Sequence, residues 1–157
     1  MEKNMKVAEP ISMYELFAKM FAHVAKEVVE RFGEDGKKAI KAGVWNFGAE
    51  RGKTIAERAE TKGLPNLPAN YLTNYDMERS DNFDCENTYG DNQVSQLFTR
   101  CIFASQWMKD NMEDYGRLYC ETIDPSIAYG YNENMECIHD KHIFEDGVCR
   151  FCFRMKE

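Results

Sequence analysis

The spacing of apolar residues changes once along this chain of 157 residues, at the segment Gly63-Leu-Pro-Asn-Leu-Pro68. Before it, apolar residues recur every three or four positions, as in amphipathic helices, whereas after residue 69 they alternate over short runs, as in strands. Helices followed by a run of strands indicate an α+β fold. We therefore predict a single domain over 1–157, with a helical hairpin over 12–62 and, over 69–157, a mostly antiparallel sheet with one or two covering helices.

The helical hairpin is predicted from its cap and its break. Ser12 and Glu15 form a capping box at the start of a helix that Gly33 ends, and a second helix is predicted over 35–61. The apolar stripe of the first helix predicts the face that packs on the sheet or on a second copy of the chain, which leaves open a homodimer through these helices. The stripe consists of Met13, Leu16, Phe17, Met20, Phe21, Val24 and Val28.

The remaining elements follow from shorter patterns. In chain order they are strands over 71–77, 82–88 and 93–103, a helix over 106–118, a turn or short helix over 123–129, and strands over 135–143 and 148–155. The third strand has an alternative, because residues from 95 onward could instead enter a helix. On the last strand, Cys149, Phe151 and Phe153 are predicted to share one face, and Arg150 and Cys152 the other.

The charge and composition exclude several classes of function. The net charge is −7, and no cluster of Lys and Arg provides the basic patch that nucleic acid or an anionic membrane surface requires. No apolar run is long enough to span a bilayer and the N-terminal segment lacks the apolar core of a signal peptide, so we expect a cytoplasmic protein. The six cysteines would then stay reduced, which favours thiol chemistry, metal ligation or core packing over disulfides.

The segment Gly48-Ala-Glu-Arg-Gly52-Lys-Thr54 looks like a phosphate-binding loop but does not meet its requirements. Such a loop has four residues between its glycines and follows a strand, whereas this segment has three and lies in a predicted helix. No nucleotide site is predicted here. Its glycines instead indicate close approach of another backbone to this helix.

Cysteine and histidine residues near the C-terminus have spacings that suit zinc. Cys149 and Cys152 fit a zinc knuckle, but residues three apart on a strand face opposite sides of the sheet. Cys137 and His139 share a face, and His142 does not. Packed cysteines and surface histidines are therefore the favoured interpretation. A smaller site that uses two or three of these ligands remains open, with zinc as the candidate metal and Cys137, His139 and Cys149 as the candidate ligands.

Two further segments contain candidate reactive groups. Cys101 follows Arg100 and precedes a predicted helix, an arrangement that lowers a thiol pKa, although a buried strand cysteine is an equal alternative. Cys120 and Asp124 are four residues apart and would share one face of a helix, where the carboxylate could exchange a proton beside the thiol. Asp124 could equally cap the turn at Pro125.

Three segments of the C-terminal half form a recognisable set: Tyr119-Cys120-Glu-Thr-Ile-Asp124, Gly130-Tyr131-Asn132 and Gly147-Val-Cys149-Arg-Phe151-Cys-Phe153. Together they resemble the L-2-amino-thiazoline-4-carboxylic acid hydrolase family. The resemblance covers about residues 14–155, with Ile102 where the family has a proline after its first cysteine. The chain is more distantly similar to 4-vinyl-reductase-type domains, which are α+β ligand-binding modules with cysteine-lined sites.

The resemblance implies a hydrolase that opens a cyclic C–N or C–S bond of a small molecule, as in the opening of an aminothiazoline carboxylate to a carbamoyl-cysteine. The attacking group would be a thiolate, or water activated by a carboxylate or by zinc. The alternative is a non-enzymatic module that binds a small ligand or a metal. The implied catalytic residues are Cys101, Cys120 and Asp124, and the implied substrate-binding residues are Arg100, Asn132 and Cys149.

Overall fold

The computed structural model describes residues 8–78 and 81–157 of the protein. Its four strands form one antiparallel sheet in the order β1-β2-β4-β3, which confirms the predicted α+β fold. Two short 3₁₀ turns, Pro68–Asn70 and Leu72–Asn74, precede the sheet. The helices and strands are α1 (Met13–Glu60), β1 (Phe83–Gly90), β2 (Gln93–Cys101), α2 (Ile102–Lys109), α3 (Glu113–Cys120), α4 (Ile123–Tyr131), β3 (Met135–Lys141), α5 (Ile143–Asp146) and β4 (Cys149–Met155).

Helix α1 reverses direction at Gly33, so the predicted helical hairpin is present. Gly33 has non-helical dihedral angles (φ 58°, ψ −134°), which an L side chain would disfavour. A Cβ atom on Gly36 would lie only 2.6 Å from the carbonyl oxygen of Val28, whereas residues eight apart in a straight helix are separated by about 12 Å. Residues 13–32 and 34–60 therefore form two arms that fold back on each other. The predicted capping box between Ser12 and Glu15 begins the first arm.

The first arm buries a different face from the one predicted. Its buried residues are Ala18, Ala22 and Ala25, and the indole Nε1 of Trp107 donates a 2.7 Å hydrogen bond to the carbonyl oxygen of Ala18. These small side chains let α2 and α3 approach the arm closely. Much of the larger apolar stripe stays outside, with Met13 77% exposed and Met20 68% exposed. The homodimer that this stripe suggests stays a prediction.

The second arm packs on α4 at glycine positions, as the glycine content of this helix predicts. A Cβ atom on Gly48 would lie 1.7 Å from the Ser126 hydroxyl oxygen, and one on Gly52 would lie 2.2 Å from the carbonyl oxygen of Ile127. Only glycine permits backbones to come this close. The contact fixes the position of α4 and of the side chains at its start.

The helices cover one face of the sheet, and the other face carries ion pairs. On β4, Cys149, Phe151 and Phe153 are buried on the inner face, while Arg150 and Arg154 point outward, as predicted. On the outer face, Arg154 pairs with Glu136 and Arg150 with Asp140. Among the described residues, no helix combines the length and apolarity needed to cross a membrane.

The strand predicted over 71–77 is wrong, because this segment contains the second 3₁₀ turn, Leu72–Asn74, and no strand. Its aromatic residues suggested a strand, but Tyr71 is fully buried as a core residue instead. The buried amide of Asn74 stabilises the turns: its Nδ2 donates to the carbonyl oxygen of Asn70 at 2.8 Å, and its Oδ1 accepts from Lys62 Nζ at 2.7 Å.

Three predicted elements are present with shifted or divided bounds. The run over 93–103 ends as a strand at Cys101, and α2 begins at the next residue. The helix predicted over 106–118 is divided between α2 and α3, because Asn111 adopts a positive φ of 54° between them. The turn or short helix predicted over 123–129 is α4, and the final hairpin contains the extra turn α5 before Gly147.

Candidate functional site

A cavity of about 440 Å³ lies between the helical hairpin and the inner face of the sheet. Its wall includes residues of both arms of α1, of α2, α3 and α4, and of β2, β3 and β4. The lining is mostly apolar, with nine Phe and Tyr side chains, and its charged residues are Arg51, Asp76 and Asp124. The volume is within the range of pockets for small molecules.

Four of the predicted site residues converge on this cavity: Cys101, Cys120, Asp124 and Cys149. They come from different elements, since Cys101 ends β2, Cys120 ends α3 and Cys149 begins β4. Asp124 lies in the first turn of α4. Cys120 and Asp124 were expected to share one helix, but they lie on two successive helices. They face the same cavity because α3 and α4 are joined by only two residues.

Asp124 is the titratable group whose environment best suits proton transfer. Burial raises the pKa of its carboxyl group to about 6, against an opposing effect of the Arg51 charge. Within the part of the chain that the structure describes, no hydrogen bond lowers this pKa. A carboxyl group with a pKa near the working pH both accepts and donates protons readily.

The three cavity thiols are protonated at neutral pH. Burial is the main cause in each case: it raises the pKa of Cys149 to about 11 and that of Cys120 well above its ordinary value. At Cys101, burial outweighs the backbone N–H groups at the start of α2, so its pKa is also raised. The structure therefore favours the buried-cysteine alternative for Cys101 over the lowered pKa that its sequence context suggested.

Arg100 does not provide the cation beside Cys101. Its side chain points away from the cavity, is 46% exposed, and has its nearest ion-pair partner, Asp84, at 3.9 Å. Successive residues of a strand face opposite sides of the sheet, so the neighbour of an inward cysteine points outward. Arg100 therefore does not point into the cavity, where a substrate contact was predicted.

The cation of the cavity is Arg51, which the sequence did not identify. Its Nε and Nη2 atoms donate to both carboxylate oxygens of Asp76 at 2.9 Å, and the two side chains are 15% and 16% exposed. The guanidinium also lies over the rings of Phe47 and Tyr75, at 5.6 and 5.3 Å from their centroids. A signal was available, because the glycines that bring α4 against this helix flank Arg51 and mark a tightly packed face.

Asn132 and Cys137 also lie outside the cavity lining. Asn132 follows α4, where its Nδ2 donates to the carbonyl oxygen of Asn66 at 2.7 Å and its Oδ1 accepts from the backbone N–H of Asn134. The residue thus joins the end of α4 to the loop after α1. Cys137 packs against the core from the inner face of β3.

The residues that could hold a metal ion differ in part from those predicted. Ligand atoms of His139, His142 and Cys149 lie within 4.8 Å of one another, whereas Cys137 does not belong to the group. A register shift in β3 just after His139, followed by the end of the strand, turns His142 back toward Cys149. Burial lowers the pKa of both rings, to about 4 for His139, so they are neutral at pH 7.

Residues 13–153 match the family model described as L-2-amino-thiazoline-4-carboxylic acid hydrolase. The chain belongs to this family. No curated protein matches this family member at a significant level. Its structure is similar to that of a trafficking protein particle complex subunit 3 from Naegleria fowleri covalently bound to palmitic acid, with a TM-score of 0.55 and 19% identity over 92% of this chain and 95% of that chain. This likeness shows a common fold.

The family segments differ in what they do in this member of the aminothiazoline carboxylate hydrolase family. The segment from Tyr119 to Asp124 lines the cavity, as does the C-terminal segment around Cys149. The segment Gly130-Tyr131-Asn132 instead supports the fold. A Cβ atom on Gly130 would lie 2.1 Å from the carbonyl oxygen of Ala49 in the second arm, and the Tyr131 hydroxyl donates to the carbonyl oxygen of Leu67.

Proposed function

We propose that this protein is a hydrolase that opens a cyclic C–N or C–S bond of a small, carboxylate-bearing substrate inside the cavity, as in aminothiazoline carboxylate ring opening. The observation that carries this proposal is the position of Asp124, a carboxyl group with a pKa of about 6 in the wall of a mostly apolar cavity. Perturbed carboxyl groups in concave sites are typical of catalytic acids and bases. Membership of a family named for a hydrolase supports the reaction class.

Substrate binding would use the aromatic wall and Arg51. A flat heterocycle would pack on the Phe and Tyr rings, while its carboxylate would meet the guanidinium. Arg51 has five N–H donors, of which two bond Asp76, so donors remain for a second carboxylate. A charge-assisted pair of this kind orients the ring in a site that excludes much of the solvent.

The attacking group in this proposal is a water molecule activated by Asp124. About nine-tenths of Asp124 is ionised at pH 7 when the pKa is about 6, whereas the thiols of Cys101 and Cys120 are protonated. The water oxygen forms a bond with the ring carbon between nitrogen and sulfur as the carbon–nitrogen double bond opens, and one water proton passes by way of Asp124 to that nitrogen. The adduct then collapses: its hydroxyl group becomes a carbonyl and gives its proton to Asp124, the bond from the carbon to the ring sulfur or ring nitrogen breaks, and the leaving atom takes that proton from Asp124.

The proposal includes a second route for the reaction, in which Cys101 or Cys120 attacks the substrate as a nucleophile. Either thiol would lose its proton to Asp124 as its sulfur bonds to the ring carbon, and the ring sulfur or ring nitrogen would take that proton as its own bond to the carbon breaks. Water would then attack the same carbon, forming the product carbonyl and returning a proton to the cysteine sulfur as the enzyme–carbon bond breaks. This route predicts a covalent adduct on cysteine, which the water route lacks. Mass spectrometry of protein quenched during turnover distinguishes the two routes, because only the thiol route adds the substrate mass to a peptide containing Cys101 or Cys120.

Substitution of Asp124 by Asn tests the reaction itself. We expect hydrolysis of aminothiazoline carboxylate, followed as uptake of one water by mass spectrometry, to fall by about 10²-fold or more in Asp124→Asn, because the amide accepts no proton. Asn retains the shape of Asp and its ability to cap a helix, so a fold-supporting residue would tolerate the change. Full activity in a folded Asp124→Asn variant would contradict the catalytic role.

One observation favours a second candidate, a non-enzymatic module that binds an apolar ligand. The cavity is lined by nine aromatic rings, and the structurally similar trafficking subunit has palmitic acid covalently bound. In this alternative, a fatty acid or a small aromatic compound raises the thermal midpoint of wild-type protein, and Asp124→Asn binds it equally well. Ring hydrolysis by the wild type, lost in Asp124→Asn, would instead favour the enzyme.

A further inference from the structure

We propose that His139, His142 and Cys149 form a binding site for one divalent transition-metal ion, with Zn²⁺ as the foremost candidate. The proposal is independent of the hydrolase proposal, because it concerns binding of the ion itself. Two imidazoles and a thiolate suit Zn²⁺ and related transition metals, whereas Mg²⁺ and Ca²⁺ require oxygen ligands.

The first argument is the proximity of three donors held by separate parts of the backbone. His139 lies near the end of β3, His142 caps the start of α5, and Cys149 begins β4. Their ligand atoms lie within 4.8 Å of one another. Metal–nitrogen bonds of about 2.0 Å and metal–sulfur bonds of about 2.3 Å in a tetrahedron place donors about 3.3–3.7 Å apart, so binding requires each pair to approach by no more than about 1.5 Å.

The second argument is that buried nitrogen atoms of both rings have no hydrogen-bond partner among the described residues. They are Nε2 of His139 and both Nδ1 and Nε2 of His142. Glu145 comes closest to His142, with 3.8 Å between Oε2 and Nδ1, which exceeds hydrogen-bond distance. Buried polar atoms are normally satisfied, and each exception requires an explanation. A metal ion satisfies one nitrogen of each ring.

The third argument is the surrounding hydrogen bonds, which suit a metal–thiolate site. The backbone N–H of Ile143 donates to the Cys149 sulfur at 3.3 Å, a contact that stabilises a thiolate. The backbone N–H of His142 donates to Asp146 Oδ2 at 2.8 Å, which fixes the turn that carries this ring. Glu145 can accept from the free nitrogen of His142 once the other nitrogen binds metal, as carboxylates often do beside metal-bound histidine.

The site would open toward the cavity. Cys149 and His139 both line it. Three protein ligands leave the fourth position of a tetrahedral ion for water or a ligand in the cavity, which is the pattern of catalytic zinc sites. The competing explanation is that the rings are only aromatic filler, because His139 stacks on His142 with 4.7 Å between centroids and packs on Phe151.

Metal titration of the full chain separates the two explanations. The untagged, reduced protein is stripped with a chelator and titrated with Zn²⁺ against a competing indicator. We expect one ion per chain and a loss of affinity of at least about 100-fold in His142→Gln, since removal even of outer partners costs 10–100-fold. The control is His23→Gln, which changes an exposed histidine on α1 and should leave affinity unchanged.

Cobalt provides a second readout, which identifies the sulfur ligand. Co²⁺ bound to wild type should give a sulfur-to-cobalt charge-transfer band, which Cys149→Ser loses and Cys152→Ser, on the other face of the same strand, retains. Circular dichroism establishes that each variant is folded. Wild type that binds Zn²⁺ no more tightly than His142→Gln, or a band that persists in Cys149→Ser, would overturn the proposal. Neither measurement involves substrate, so failure of the hydrolase proposal leaves the result intact.

Discussion

Two groups of polar side chains, Arg51 in the cavity wall and the pair His139 and His142, of which His139 lines the cavity, differ in whether their nitrogen atoms have hydrogen-bond partners. At Arg51, the guanidinium has a bidentate partner in Asp76 and aromatic rings on its faces. At His139 and His142, three buried nitrogen atoms have no partner among the described residues. The hydrogen bonds of Arg51 are therefore satisfied without a ligand, and its partners hold the positive charge in place. The histidine nitrogen atoms lack partners, and they therefore say more about which ligand could bind here.

Breaking the Arg51–Asp76 pair should have the largest effect on stability, and changing His142 should have little. Arg51→Ala leaves Asp76 buried without its cation, so we expect a loss of about 3–5 kcal/mol in the free energy of unfolding. His142→Phe retains a stacked ring and removes two unsatisfied nitrogens, so we expect a change within about 1 kcal/mol. Urea unfolding in the presence of a chelator measures both.

Arg51→Lys is the control for charge alone, since it retains the cation but not the bidentate geometry, and we expect an intermediate loss. The contrast would fail if His142→Phe destabilised the chelated protein as much as Arg51→Ala. That result would mean that the histidine nitrogens have partners in solution.

Asp124 is intermediate between the paired Arg51 and the unpartnered histidines, because the Arg51 charge offsets only part of the cost of burying its carboxylate. Its pKa is about 6 in the folded protein and about 3.9 in the unfolded chain, so the folded state binds more protons between these values. Stability should therefore fall as the pH rises from about 4 to about 6, by up to about 3 kcal/mol, and by less to the extent that water in the cavity screens the charge.

The measurement is the urea midpoint as a function of pH for wild type and Asp124→Asn. The variant should lack this part of the slope and be the more stable protein at pH 7, although it is the less active one. Parallel pH profiles of the two proteins would show that Asp124 has an ordinary pKa in the fold.

Substitutions on the outer face of the sheet should have the smallest effects on stability and activity. Cys152→Ser removes a partly exposed thiol, and we expect a stability change within about 0.5 kcal/mol with activity and Zn²⁺ affinity unchanged. Arg150→Ala breaks the exposed pair with Asp140, and because both side chains face solvent we expect little change in the urea midpoint. Loss of function in folded Cys152→Ser would show that the cysteine pair on β4 acts as a unit despite its opposite faces.

The segments that match the family predict the candidate site in part. Cys120, Asp124 and Cys149 of these segments line one cavity together with Cys101, whereas Asn132 of the segment Gly130-Tyr131-Asn132 lies outside it. Arg51 was missed because helical spacing alone does not separate an inward arginine from one that faces solvent, and the only signal is indirect: the flanking Gly48 and Gly52 mark a tightly packed face. The sequence offered Arg100 instead, by adjacency to Cys101, and strand alternation turns that side chain outward.

The fold, too, was predictable where local sequence determines it and not where tertiary packing does. Caps and breakers predicted the helical hairpin, since the capping box and Gly33 act locally. The buried face of the first arm was not predictable in the same way. Alanines face the neighbouring helices because the close packing there leaves no room for Met or Phe, and that spacing depends on tertiary contacts. His142 was likewise predicted to lie on the face of the sheet opposite to His139. This prediction is wrong, because the register shift in β3 leaves no clear signal in the sequence.

The reversal at Gly33 has a consequence for how this cavity can vary among related chains. Phe17 of the first arm and Phe47 of the second share its wall, as do Met13 and Arg51. One residue inserted within either arm would rotate the side chains beyond it by about 100° and shift them by about 1.5 Å. Such a change would carry Arg51 off the cavity wall. Chains that retain this cavity should therefore conserve the length of both arms, and differ in cavity shape through side-chain replacement or through the lengths of their loops.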